Sequence, residues 1–190
     1  MVPHGLVITT LEYPSIMNMM AFLKNVLLRA IQRSLIKNTE INDMLCELFQ
    51  QPMTNGQVPI REIQKRIADV DSDAGSRVEA LCKKYRPRIV FNMGDHPDEI
   101  KVADKINGIL RSILSMEADY FGFLFHDPNV RSSIKKHASF IGNYGHSVAA
   151  HGVRQVAERI VKFMDKRVND SARLLLNATW RFYEDVVCDN

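Results

Sequence analysis

Polar residues that follow short apolar runs are where this chain would do chemistry. Thr9, Thr10 and Glu12 follow Gly5-Leu-Val-Ile8, Asn92 ends Arg88-Ile-Val-Phe91, and His126 and Asp127 follow Tyr120-Phe-Gly-Phe-Leu-Phe125. Ligands of open α/β sheets bind beyond the carboxyl ends of the strands, so these groups fall where a site would form. The Asn92 amide offers one donor and one acceptor to a ligand edge; it serves equally well as a strand-end cap bonding to Gly94-Asp95-His96. Asp127 precedes Pro128 and reads as the N-cap of the next helix. Glu12, with no partner base or metal ligand in reach by sequence, reads as a helix-entry residue favoured by the helix dipole.

The remaining candidates are weaker. The histidines are His4, His96, His126, His137, His146 and His151. His146 and His151 are too far apart in sequence to share a helical face, no H-E-x-x-H occurs, and no Ser-His-Asp set follows from spacing. Cys46, Cys82 and Cys188 contain no C-x-x-C pair, which argues against a disulfide framework or a zinc site and for a reducing, cytoplasmic setting. Arg131, Lys135, Lys136 and His137 form a basic cluster that could meet nucleic-acid phosphates, although a solvated helix face is the commoner role of such a cluster. The 190 residues carry 46% hydrophobic and 25% charged side chains and a net charge of +3, the make-up of an ordinary folded domain.

Short β-rich runs and long helical patterns must position these groups. Gly5 to Thr9 reads as a buried parallel strand. A helix opening at Pro14-Ser15 follows, with Ile16, Met20, Leu23, Leu27, Ile31 and Leu35 on one face. Lys24, Arg29 and Arg33 interrupt its apolar stretch, so it is a poor membrane span, and residues 1–14 do not read as a signal peptide. Residues 38–86 show no strand. They read as helices over 40–50, 59–70 and 72–85, separated by the turn Pro52-Met-Thr-Asn-Gly56, and together form a helical insertion. Residues 88–92 make a second strand, and Pro97 starts a helix whose apolar face is Ile100, Ala103, Ile106, Ile109, Leu110, Ile113 and Leu114. Residues 120–124 make a third strand, followed by helices over 129–136, 147–167 and 171–187. The pattern predicts an α/β chain with a partial doubly wound parallel sheet of three strands in the order 5–10, 88–93, 119–124. Residues 1–190 read as a single domain.

Three segments in this order resemble the MinD/ParA-type P-loop ATPases. Ile8-Thr-Thr-Leu-Glu-Tyr-Pro-Ser15 is similar to the T-T-P-E-x-x-S segment after the Walker B strand, with Leu11 in place of the proline. Arg88-Ile-Val-Phe-Asn-Met93 resembles the later strand that ends in an asparagine facing adenine. Tyr120 to Val130 resembles the Y-L-G-x-x-x-x-D-x-x-V segment that passes over adenine and ribose, and Arg131 to His137 resembles the short basic helix after it. The insertion at 38–86 is similar to that of a subset of bacterial MinD-like proteins. The resemblance implies the C-terminal half of a P-loop NTPase-like fold. It implies adenine and ribose contacts from Asn92, Phe125, His126 and Asp127, with Thr9, Thr10 and Glu12 on a loop near the nucleotide. It also implies an ATP-dependent dimerising partition or positioning ATPase when intact.

The departure from the family is on the phosphate side. None of the nine glycines is followed by lysine, so the G-K-G-G-x-G-K-[ST] phosphate cradle has no counterpart here. The expectation is therefore an ATP and magnesium requirement only in the intact family protein, and no catalysis or cofactor for this chain alone. The alternative is a non-catalytic interaction module that self-associates through the apolar edge at 5–10 or through Met17, Met19 and Met20. A partner supplying the missing N-terminal half would serve the same need. DNA or membrane contact through Arg131, Lys135 and Lys136 is the weakest reading. The segment 169–190 has two arginines against four acidic residues, unlike a basic membrane anchor, and reads as a packing helix.

Overall fold

The computed structural model describes residues 5–50 and 59–187. His4, Cys188 and the expected turn at 52–56 lie outside the described residues. Strand β1 is Leu6–Thr9. It is followed by α1 (Tyr13–Ser34), α2 (Thr39–Gln50), α3 (Ile60–Val70) and α4 (Ser72–Lys84), then by β2 (Arg88–Gly94). A 3-10 turn at Pro97–Lys101 leads into α5 (Val102–Ile109), which closes in a π-turn at Leu110–Leu114. Then come β3 (Asp119–Phe125), α6 (Pro128–Lys135), α7 (Phe140–Asn143), α8 (Val148–Phe163) and α9 (Ser171–Phe182), the last continued by a π-turn at Tyr183–Val187. The chain divides into two compact units. One holds the helices of residues 17–50, 59–86 and Ile106–Ala118; the other holds the sheet, from residues 5–16, Pro87–Lys105 and 119–187.

In the helical unit, α3 buries Ile60, Ile63 and Ile67, the i, i+3, i+7 stripe of an amphipathic helix. It packs against α4, where a Cβ at Gly75 would collide with the Ala68 backbone, so the glycine permits the close approach. Asp71 caps α4 by accepting from the Ala74 N–H at 3.0 Å. The buried stripe of α1 is Met19, Leu23, Leu27, Leu28, Ala30 and Ile31, whereas Ile16 and Met20 are only half-buried, so the apolar face is rotated from the one the spacing predicts. Arg86 and Arg111 both reach Glu117, at 2.6 and 3.0 Å.

In the sheet unit the strand order is β1-β2-β3 and both pairs are parallel, as the alternation of apolar runs and helices predicts. Leu6 pairs with Arg88 and Arg88 with Asp119 across the sheet. Ile89, Val90 and Phe91 of β2 and Tyr120, Phe121, Phe123 and Phe125 of β3 are buried, and α8 and α9 both pack on β3. Gly122 lets α8 come close, since a Cβ there would overlap Val156. The helix expected over 97–114 is broken into three geometries. His96 and Glu99 cap its 3-10 start through a reciprocal capping box, and Ser115, left-handed at φ 53°, ends it with its N–H on the Leu110 carbonyl. Within this stretch Ile109 is 40% exposed, because it lies off the buried Ile106, Leu110, Leu114 row. The chain between α6 and α8 holds an unanticipated helical turn, α7, capped by the Ser139 hydroxyl accepting from Gly142 N–H.

The two sheet edges differ. On β3 the outward-facing backbone groups of Tyr120 are both engaged: its N–H donates to Ser171 Oγ at 3.0 Å, and its carbonyl accepts from Arg159 at 3.0 Å. On β1 the Gly5 carbonyl accepts from Arg88 N–H, which sets residues 5, 7 and 9 toward β2 and turns the backbone of Leu6 and Ile8 outward. Those outward groups have no partner among the described residues. The expectation of a β1 buried on both faces is corrected: Leu6 is 37% and Ile8 60% exposed, because β1 has a neighbour on one side only and α8 packs two strands away.

Candidate functional site at the carboxyl edge of the sheet

The parallel register brings the three sequence-predicted groups to one end of one sheet. Thr9 ends β1, Asn92 lies near the end of β2 opposite Leu124, and Phe125 ends β3 opposite Gly94. β2 ends irregularly. The register breaks between Asn92 and Gly94, and Met93, between them, is left-handed at φ 61° and 55% exposed. A non-glycine residue in that region costs about 1–3 kcal/mol, and such positions concentrate where a backbone has been shaped for a ligand. Gly94 is buried beneath the Phe123 ring, where a Cβ would collide, and its carbonyl accepts from His126 N–H at 2.9 Å. That bond ties the end of β2 to the residue that follows β3.

Asn92 is half-buried, and its amide has no hydrogen-bond partner among the described residues. The capping role open to it from sequence goes to another side chain. Glu99 Oε1 accepts from Asp95 N–H at 2.9 Å and from His96 N–H at 2.8 Å, closing that loop without Asn92. On β1, the buried Thr9 hydroxyl donates to the Thr10 carbonyl at 3.0 Å, and Thr10 Oγ1 is enclosed without a partner among the described residues. Glu12 is exposed, and its carbonyl accepts from Ile16 N–H in the first turn of α1.

Asp127 is committed to the fold. One carboxylate oxygen accepts from Asn129 N–H at 2.9 Å, capping α6, and the other accepts from Ala149 N–H at 3.3 Å in the first turn of α8. It is 6% exposed. Burial alone pushes its pKa up, but hydrogen bonds from Ser147, Asn129 and Ala149 together outweigh that and hold it below the ordinary carboxylate value. The carboxylate is thus ionised and shared by two helix starts. A depressed folded-state pKa gives stability that is present above the unfolded value of about 3.9 and is lost as pH falls through the lower folded value. Asp127→Asn is therefore expected to cost about 1–2 kcal/mol at neutral pH. The cost should shrink as the wild type is acidified below pH ~4, with the two melting curves converging by circular dichroism.

Phe125 is a core residue as well. Its ring lies 5.0 Å from Phe123, 5.7 Å from Tyr183 and 6.1 Å from Phe182, and it is 7% exposed. Only its backbone is placed to meet a ligand, whereas the exposed His126 side chain is accessible. Sequence reading missed the aromatic assembly behind this edge. His151 stacks flat on Phe182 at 4.1 Å, and His96 meets Trp180 and Tyr183 edge-on at 5.0 and 5.2 Å. The apolar stripe of the last helix was the available signal, but nothing in it named histidines far upstream as its partners. His96 Nδ1 accepts from Asp98 N–H at 3.2 Å, which fixes its role as a turn cap.

Arg131, Lys135 and Lys136 are exposed on and just after α6 and do not belong to the polar groups at the strand ends. The segments at the carboxyl edge, residues 9–12, 92–96 and 125–129, contain Glu12, Asp95 and Asp127 and no lysine or arginine. The edge therefore offers the Asn92 amide and backbone groups for a neutral ligand surface, and no lysine or arginine to meet phosphate charge. Among the described residues, no group of three or more His, Cys, Asp or Glu is arranged to hold a metal ion.

Fold and edge together define an α/β protein whose three-stranded parallel sheet gathers polar residues at its carboxyl end. No protein-family model matches the chain, and no curated protein sequence matches it. No helix among the described residues is long and apolar enough to cross a membrane.

Proposed function

We propose that this chain is the C-terminal part of a MinD/ParA-like ATP-binding protein with a P-loop NTPase-like fold. It would carry the adenine-facing half of a nucleotide site and be non-catalytic alone. In the intact protein ATP would drive dimerisation and hydrolysis would reset it, as partition and positioning ATPases do. The observation that carries this reading is the Asn92 amide, without a hydrogen-bond partner among the described residues, near the end of the central strand, beside the left-handed Met93 and level with the loops of Thr9–Thr10 and His126–Asp127. An amide there can pair with both the amino group and the ring nitrogen of adenine. The phosphates and magnesium would be held by residues this chain does not contain.

The coding DNA upstream of Met1 tests the reading. An in-frame segment encoding G-K-G-G-x-G-K-[ST] on a strand–helix unit is expected. When that segment is joined to this chain, the protein should bind a fluorescent ATP analogue, and Asn92→Ala should weaken binding by about tenfold, the effect of losing a bidentate base contact of about 1.4 kcal/mol. Equal binding of ATP and GTP, unaffected by Asn92→Ala, would remove the adenine assignment.

A second reading, a non-catalytic module that self-associates, is favoured by one observation. Among the described residues the β1 edge carries outward backbone groups without partners together with exposed Leu6 and Ile8, while on the β3 edge Ser171 and Arg159 engage the backbone of Tyr120. Antiparallel pairing of two β1 strands about Val7 would set Leu6 opposite Ile8 of a second copy and satisfy those groups. Light scattering across a concentration series is then expected to show a dimer that Ile8→Lys dissociates. A concentration-independent monomer would dispose of this reading.

A further inference from the structure

We propose that α6 and the turn after it form a docking surface for anionic lipid headgroups, independently of any nucleotide site. Arg131, Ile134 and Lys135 stand at i, i+3 and i+4 of α6 and so share one helical face. Arg131 and Lys135 are exposed, and Ile134 between them is 68% exposed. Ser133, on the opposite side, is buried. Lys136 extends the cluster: its Nζ lies 3.5 Å from the Tyr144 hydroxyl beyond α7. Arg154 of α8 donates to the neighbouring Gly145 carbonyl, which brings another guanidinium to the same turn.

Among the described residues, neither Arg131, Lys135, Lys136 nor Arg154 joins an ion pair. Residues 128–147 contain no acidic residue, against Arg131, Lys135 and Lys136, and Arg154 adds a fourth cation. A surface of this sign attracts an anionic partner within about a Debye length, roughly 10 Å at 0.1 M salt.

Ile134 decides which anionic partner fits. A single exposed isoleucine is ordinary on a protein surface. Here it projects from the face that carries the cations, so a partner held by Arg131 and Lys135 also meets an aliphatic side chain. A nucleic-acid backbone would leave that side chain in water or against phosphate. A lipid interface places headgroup phosphates at the level of the cations and acyl chains just below, where an isoleucine gains by burial.

The test is co-sedimentation of the full chain with vesicles, one set pure phosphatidylcholine and one set phosphatidylcholine and phosphatidylglycerol in equal parts. Binding to the anionic set alone is expected. Each Lys or Arg near such a surface contributes about a fivefold factor, so Lys135→Gln with Lys136→Gln should weaken partitioning roughly 25-fold. Salt at about 0.5 M should release the protein. Ile134→Ser should weaken vesicle binding while leaving retention on duplex DNA unchanged. Because these side chains are exposed, the variants should keep the wild-type circular dichroism spectrum. The proposal is overturned by absence of binding to either set, by equal binding to both, or by binding that survives the double substitution. It is also overturned if Ile134→Ser leaves vesicle binding intact while duplex DNA competes the vesicles away, since the surface would then be a nucleic-acid site.

Discussion

Asp119→Ala is expected to destabilise the sheet-bearing unit by about 3–5 kcal/mol, the cost of stranding a buried charge. Asp119 is fully buried at the start of β3 and Arg88, at the start of β2, is 1% exposed; their nearest charged atoms are 3.8 Å apart across the paired strands. The guanidinium also donates to the Lys166 carbonyl at 3.0 Å and lies over the Phe121 ring at 5.7 Å. Removing the carboxylate leaves a desolvated cation that cannot reach water, and arginine does not neutralise itself by losing a proton. Removing both charges is a different experiment. Asp119→Leu with Arg88→Met replaces the pair by apolar groups of similar bulk, and the double variant is expected to recover most of the lost stability. Urea unfolding followed at Trp180, which belongs to the same unit, measures both. Single and double variants of equal stability would mean that the pair is not held out of water as its burial implies.

The isolated chain is expected to show no ATP hydrolysis above the uncatalysed rate. Phosphoryl transfer is catalysed almost entirely by positioning and by charge laid against the developing negative charge, and enzymes supply at least about a 10⁶-fold acceleration by such means. That requires backbone N–H groups around the phosphates, a lysine, and a hydroxyl on magnesium. The strand ends here carry Thr9, Thr10, Asn92 and His126 among three carboxylates, without lysine or arginine. Such a rim offers a triphosphate no lysine or arginine as countercharge. Phosphate release assayed over hours, with magnesium present, should match the protein-free blank. Steady turnover by pure chain, abolished by a substitution at any of these residues, would contradict both this expectation and the proposed division of the nucleotide site.

Much of the architecture was legible because strands and helices write different periods. The β-branched and aromatic runs at 6–9, 88–94 and 119–125 stand apart from the three-four spacing of the helices, and parallel order follows once helices lie between them. The capping role of Asp127 was also local, since a carboxylate immediately before a helix has few other uses. Less legible was how the chain divides. Residues 38–86 read as an insertion, yet they cluster with most of α1 and with 106–118 into a separate helical unit, because contacts between segments distant in sequence leave no mark on local periodicity.

By itself the sequence determined the α/β class, the three parallel strands and their order, and which polar residues would follow each strand, because these depend on neighbours a few positions away. The tertiary structure alone decided what those residues are free to do. Glu99 relieves Asn92 of capping, the start of α8 takes the second oxygen of Asp127, and the Phe182–Tyr183 pair draws Phe125 into the core. It likewise decided that Ser171 and Arg159 engage the Tyr120 backbone on one sheet edge while Leu6 and Ile8 are exposed on the other. A side chain's role at such sites is set by which donors, acceptors and rings reach it first in space, and here most of them come from dozens of residues away.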